Sequence, residues 1–221
     1  TNGCAGDTLL INGTNFTNIS SVSIGGIEAS WFTTVSSFLI KAKFSQSDQG
    51  VVTIVTPLGN ASSIDTVRYY NLPIVDSIPS ISICSYVNTS SISFTGNASV
   101  YNWTNNNTSI GLAGSGSGNI TGFYSSNYQT STVTSTIQVT PVSVQGCVGV
   151  SRSFTISVYP YPYVYNVANQ TYCAGQTATQ QYLSGYPWNT TYDITGGAGV
   201  GLINQSDVMY IPAFTTTAGS A

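Results

Sequence analysis

Few residues in this 221-residue chain can do chemistry: seven carboxylates, four cysteines, four basic side chains and no histidine. Without histidine there is no Ser-His-Asp or Cys-His constellation, no imidazole base and no His-ligated metal. The acids are Asp7, Glu28, Asp48, Asp65, Asp76, Asp193 and Asp207. Glycoside hydrolysis needs two carboxyls flanking one bond, and no pair here sits in a local motif that suggests it. The DxDxDG calcium pattern does not occur. Gly114-Ser115-Gly116-Ser117-Gly118 lacks the lysine and the following helix that a phosphate-cradling loop requires, and reads as an exposed hairpin connection. The chain is therefore expected not to be an enzyme, with no catalytic residue, no metal and no cofactor.

The cysteines are Cys4, Cys84, Cys147 and Cys173, without the CxxC spacing of a zinc site. Four thiols permit three pairings. An internal repeat bears on the choice. Phe94-Thr95-Gly96 matches Leu183-Ser184-Gly185, Tyr101-Asn102-Trp103 matches Tyr192-Asp193-Ile194, Ile110-Gly111-Leu112 matches Val200-Gly201-Leu202, and Ile120 to Phe123 matches Ile211 to Phe214, all at an offset of 89 to 91 residues. That period is one small β-sandwich per unit. The repeat favours Cys84 with Cys147, near the two ends of the middle unit, a cross-link expected to contribute about 4 kcal/mol. Cys173 stands where Cys84 stands, one unit later, and its partner is expected beyond Ala221. Cys4 has no obvious partner in view: it pairs upstream or stays free. Disulfide use points to an oxidising, extracellular setting.

The elements that hold these residues are strands. Thr, Val, Ile and Tyr are abundant while Lys, Glu and Met are scarce. Strands are expected at Thr8–Ile11, Val22–Ile24, Ala29–Phe32, Phe38–Phe44, Val51–Val55 and Ser63–Tyr70, and later at Ser91–Phe94, Ser99–Trp103, Thr132–Val139 and Arg152–Val158. Alternation puts Val52 and Ile54 on one face, and Tyr101 and Trp103 likewise; the latter pair is expected in a core, with a sugar-stacking platform as the alternative. The fold class is all-β, a tandem of immunoglobulin-like sandwiches divided at 1–72, 73–160 and 161–221, the last a partial repeat. Asn71 to Ser80 reads as a short linker. Tyr159 to Tyr165, with alternating prolines, reads as a stiff spacer, or as tyrosines exposed to a sugar or partner. Thr1 is not an initiating Met and Ala221 falls inside the third unit, so both ends are expected to adjoin further chain.

Charged residues are only 5% of the chain and the net charge is −3, so no footprint for nucleic acid exists. No apolar run has the length of a membrane helix. Polarity comes from Ser, Thr, Asn and Gly.

Gly13 to Phe16 (GTNF), Val22 to Gly26 (VSIGG) and Val51 to Ala61 (VVTIVTPLGNA) together resemble an IPT/TIG domain. YNWTNNNTSIGL, GSGSGNI, STIQVTP and GCVGVSRSFTISVYP, running from Tyr101 to Pro160, resemble the PKD-like repeats of very large secreted proteins of Bacteroidota. The third unit departs from that pattern, with Ile194 in place of the tryptophan and Trp188 upstream as a displaced substitute. The resemblance implies a structural stalk segment of a secreted cell-surface adhesin, of the kind exported by type IX secretion and used in gliding motility or attachment. Its partners would be neighbouring repeats of the same chain, surface polysaccharide, or secretion and motility machinery, and its location the cell surface. Asp7-Thr8, Asp65-Thr66 and Asp76-Ser77, each followed by an aliphatic residue, resemble the O-glycosylation acceptor of that phylum, with Thr8, Thr66 and Ser77 carrying the glycan. The alternatives are an accessory carbohydrate-binding region of a polysaccharide-degrading enzyme and a subunit of an extracellular filament.

Overall fold

The computed structural model describes residues 2–46 and 48–217. The chain is all-β, a series of immunoglobulin-like sandwich units. The first contains β1 (Asn2–Cys4), β2 (Thr8–Asn12), β3 (Ser21–Ile24), β4 (Ile27–Glu28), β5 (Trp31–Ser36), β6 (Leu39–Lys43), β7 (Asp48–Thr56) and β8 (Gly59–Tyr70). They form two sheets, in the orders β1-β8-β7-β3-β4 and β2-β6-β5. Period-two alternation supplies the core between them: Val22 and Ile24, Ile40 and Ala42, Val52 and Ile54, Val67 and Tyr69 all point inward. Full burial of such aliphatic side chains is worth about 1.5–3 kcal/mol each.

β1 was not anticipated. It is short and carries Gly3, yet it pairs in parallel with β8, setting Cys4 opposite Tyr70. A Cβ at Gly3 would meet the Tyr69 ring at 2.9 Å, so glycine lets the strand cross that buried ring.

The second unit contains β9 (Ile81–Cys84), β10 (Val100–Asn105), β11 (Ser115–Ser117), β12 (Val133–Val142) and β13 (Arg152–Tyr159), in the order β11-β10-β12-β13-β9. The facing layer is less regular. Ser91–Phe94, expected as a strand, makes one bridge, Ile92 to Ile120. Val75, Phe94, Trp103, Ile110, Leu112, Ile120, Ile137, Val139, Phe154, Ile156 and Val158 form the core. Trp103 is 7% exposed and Tyr101 is partly buried against Phe94, at 5.9 Å between ring centroids, so this pair is core rather than a platform. The glycine run is not a free loop. Gly116 lies in β11 opposite Trp103, where a Cβ would fall 2.2 Å from the indole Cζ2. The segment from Asn71 to Ser80, expected as a short linker, also packs into the second unit: Val75 bridges Gly96 and is 1% exposed in its core.

The third unit has β14 (Tyr163–Val164) paired with β17 (Gly185–Tyr186), β15 (Thr177–Ala178) with β21 (Phe214–Thr215), β16 (Gln181–Tyr182) with β20 (Tyr210–Ile211), and β18 (Tyr192–Ile194) with β19 (Gln205–Val208). The expected spacer thus contributes a strand, leaving the residues around Pro160 to Pro162 as the connection. Trp188, at 83% exposed, does not replace Trp103 in a core. Ala178 and Thr216 are the buried residues among those described here, and no described strand of this unit corresponds to β12 or β13.

Candidate functional site

Where the first unit meets the second, two turns are stapled together. Cys4 ends β1. Two residues on, Gly6 takes φ +89° and its N–H donates to the Phe44 carbonyl at 2.6 Å, while Ala5 N–H donates to Tyr70 O at 2.8 Å. Asp7 closes the turn, its carboxylate accepting from Cys4 N–H at 2.8 Å. On the other side, Ser143 to Cys147 form a turn after β12: Gly146 N–H donates to Ser143 O, and Cys147 N–H donates to Ser143 Oγ at 3.1 Å. Gly149 sits against Pro73, where a Cβ would fall 1.8 Å from the proline carbonyl oxygen, so the turn lies beside the chain's entry into the unit.

Cys4 and Cys147 are joined in a disulfide with Cα atoms 5.5 Å apart, across a sequence separation of 143. This overturns the expected pairing of Cys84 with Cys147. Cys84 and Cys173 are free and exposed. The reason is topological. Cys84 ends β9 opposite Tyr159, at the exit of its own unit, whereas Cys147 stands two residues before Gly149, which packs on Pro73 at the entry. Cys4, at the exit of the preceding unit, is the thiol within reach of that entry. Asn2, Gly3, Asp7, Tyr70 and Gln145 line a small concavity around the bond.

The junction between the second and third units is aromatic instead. Tyr86, Tyr128, Tyr161, Tyr163, Tyr165 and Tyr186 line a cleft of about 310 Å³. Tyr86 meets Tyr128 and Tyr161 edge-on at 5.8 and 5.4 Å, and Tyr163 meets Tyr165 at 5.3 Å. Edge-to-face pairs of this kind contribute about 0.5–1.5 kcal/mol beyond burial.

The three glycan-acceptor candidates are not brought together. Thr8 opens β2, Thr66 lies in β8 and Ser77 precedes β9, and all three are exposed. Of their preceding acids, Asp7 is engaged with the Cys4 turn and Asp76 accepts from the Thr95 hydroxyl at 2.7 Å. Among the described residues no three His, Cys, Asp or Glu side chains gather in a way that could hold a metal ion, and no helix is long and apolar enough to cross a membrane. The acids that do lie close are Asp193 and Asp207 on paired strands, with Asp207 N–H donating to Asp193 Oδ1 at 3.2 Å.

No family model and no curated protein matches the chain. Among solved structures it is similar to the titin I-band fragment I67–I69, at 13% identity over 85% of this chain and 73% of that one, TM-score 0.40. An E-to-A variant of those three titin domains matches at 12% identity over 98% and 85%, TM-score 0.43. A Bacteroides ovatus mixed-linkage glucan utilisation protein, SGBP-B, solved with a mixed-linkage heptasaccharide, matches at 13% identity over 82% and 46%, TM-score 0.27. Likeness at this level concerns architecture and carries no activity across.

Proposed function

We propose that the chain is a structural stalk segment of a large secreted cell-surface adhesin serving attachment or gliding, with units at 1–72, 73–160 and 161–221. The observation that carries this reading is the Cys4–Cys147 bond between successive units. A disulfide needs an oxidising compartment, and one placed between units resists their separation rather than shaping a site. The surface agrees with it: charge is sparse and hydroxyl and amide side chains provide solubility. Thr8, Thr66 and Ser77 are reachable by a glycosyl transferase, and hexose-type mass on at least one is the expected modification. The test is to exchange this stretch, in the producing cell, for unrelated β-sandwich domains of matched length. A spacer predicts that attachment is retained; loss of attachment at equal surface abundance overturns the reading.

A second reading rests on the tyrosine cleft, whose uncharged rings and amides suit a neutral polysaccharide. Titration of the purified protein with soluble neutral glucans tests it. Saturable binding that Tyr161→Ala abolishes supports this reading, and no binding rejects it.

A further inference from the structure

The turn that holds Cys4 occurs three times. Cys4, Cys84 and Cys173 are each followed, two residues on, by a residue of positive φ: Gly6 at +89°, Tyr86 at +62° and Gly175 at +83°. The N–H of that residue donates across the sandwich each time, to the carbonyl of Phe44, Ser125 or Thr216. Ala5 N–H donates to Tyr70 O, and Ser85 N–H donates to Tyr159 O. Tyr70 and Tyr159 are the last residues of the final strands of their units. In the second and third units a hydroxyl braces the turn identically. Ser125 Oγ donates to Cys84 O at 2.7 Å and Val87 O at 3.0 Å, and Thr216 Oγ1 donates to Cys173 O at 2.7 Å and Gln176 O at 2.9 Å. One of the three turns, that of Cys4, holds a disulfide to the next unit.

A second, independent observation lies in the third unit. Its framework copies the second: Val164 pairs Gly185 as Val75 bridges Gly96, and Thr217 N–H donates to Val200 O as Ser126 N–H does to Ile110 O. Yet Ile110 is fully buried, whereas its counterpart Val200 is 50% exposed. In the second unit Ile110 belongs to one core with Ile137 and Val139 of β12 and Phe154, Ile156 and Val158 of β13. In the third unit that place is an open groove of about 520 Å³, where the apolar Val200, Leu202, Ile211 and Phe214 lie uncovered alongside polar residues such as Gln170 and Thr179.

We infer that this groove seats a β-hairpin, supplied by a following stretch of the polypeptide and equivalent to β12, its turn and β13. The turn carries a cysteine that bonds to Cys84. Cys173 is the same socket for the unit after that. The staple between the first two units is thus one link of a ladder in which each exit cysteine is taken by the entry turn of the next unit. Each bond forms by thiol–disulfide exchange: the Cys84 thiolate attacks a mixed disulfide on the incoming cysteine, the new S–S bond forms, and the carrier leaves as a thiol after gaining a proton. The inference rests on the extracellular stalk reading.

The experiment is non-reducing peptide mapping of the protein recovered from its producing cells, with free thiols alkylated at lysis. The ladder predicts Cys4 linked to Cys147, and Cys84 and Cys173 each linked to a cysteine outside residues 1–221. Replacing Cys84 by serine then exposes one new alkylatable thiol, flanked by sequence of alternating strand character. Cys4 linked to Cys147 with Cys84 and Cys173 alkylated, or joined to one another, overturns the ladder and leaves the stalk standing. Alkylation of all four overturns the oxidising setting and the stalk with it.

Discussion

Removing the Cys4–Cys147 staple gives the most quantitative check on the junction. The bond spans 143 residues, and if both units unfold together, cross-linking a loop of that length is worth about 5 kcal/mol in chain entropy. If the first unit unfolds alone, the loop runs only from Cys4 to the entry at Pro73, roughly 70 residues, and the contribution is about 4 kcal/mol. The two cases differ little, so the prediction does not hinge on how the units couple. Loss of about 4 kcal/mol lowers the melting temperature of a domain of this size by roughly 15–30 °C. The assay is differential scanning calorimetry of the Cys4→Ser/Cys147→Ser protein against the parent, both with free thiols capped. In a protein of residues 1–221 alone, Cys84→Ser is the informative control: there the Cys84 thiol is exposed and unbonded, so the melt should hold to within about 0.5 kcal/mol. A double variant that melts within about 3 °C of the parent, or a Cys84→Ser protein that loses the stability instead, would refute the reasoning.

Gly116→Val drives branched methyls into the Trp103 indole, from which a Cβ alone would stand 2.2 Å; a loss of about 1–3 kcal/mol is expected in urea melts, and an unchanged midpoint contradicts the packing. Trp103→Ala should cost more, about 3–5 kcal/mol, since it empties the centre of that core. Tyr69 has its hydroxyl pKa raised above the usual phenol value, first by burial and then by the negative charge of Asp7. A raised folded pKa means stability is complete below about pH 10, where the unfolded phenol begins to titrate, and drains away as pH climbs through the folded value. Denaturant midpoints at pH 9 and pH 11 should therefore separate, and Tyr69→Phe should narrow the gap.

Strand alternation was readable wherever both faces of a strand differ: Val52 and Ile54, and Tyr101 with Trp103, are inward as their spacing implies. The repeat likewise matches Ile110-Gly111-Leu112 to Val200-Gly201-Leu202, and in both the glycine is a left-handed cap, at φ +93° and +91°. The disulfide partner was not readable, because a repeat says which cysteines are equivalent and not which unit's turn approaches which. That choice is made by the exit of β8 beside the entry at Pro73, a tertiary fact. The glycine run at 114–118 misled for a related reason. Glycine suits a loop, but Gly116 is in a strand because a large ring lies over it, and the demand comes from Trp103, more than ten residues away. Tyr163 and Val164 read as spacer by their prolines, yet pairing with Gly185 and Tyr186 absorbs them into the third unit. The bracing hydroxyls Ser125 and Thr216 stood at the repeat offset all along, hidden among many serines and threonines.

The central claim is that this array stands outside the cell. Lys41 and Lys43 are both exposed on β6 and offer amines for a membrane-impermeant label. Treating intact producing cells with a sulfonated succinimidyl ester and mapping the protein by mass should find both lysines modified to the same extent as in lysed cells. Modification that appears only after lysis would contradict the account.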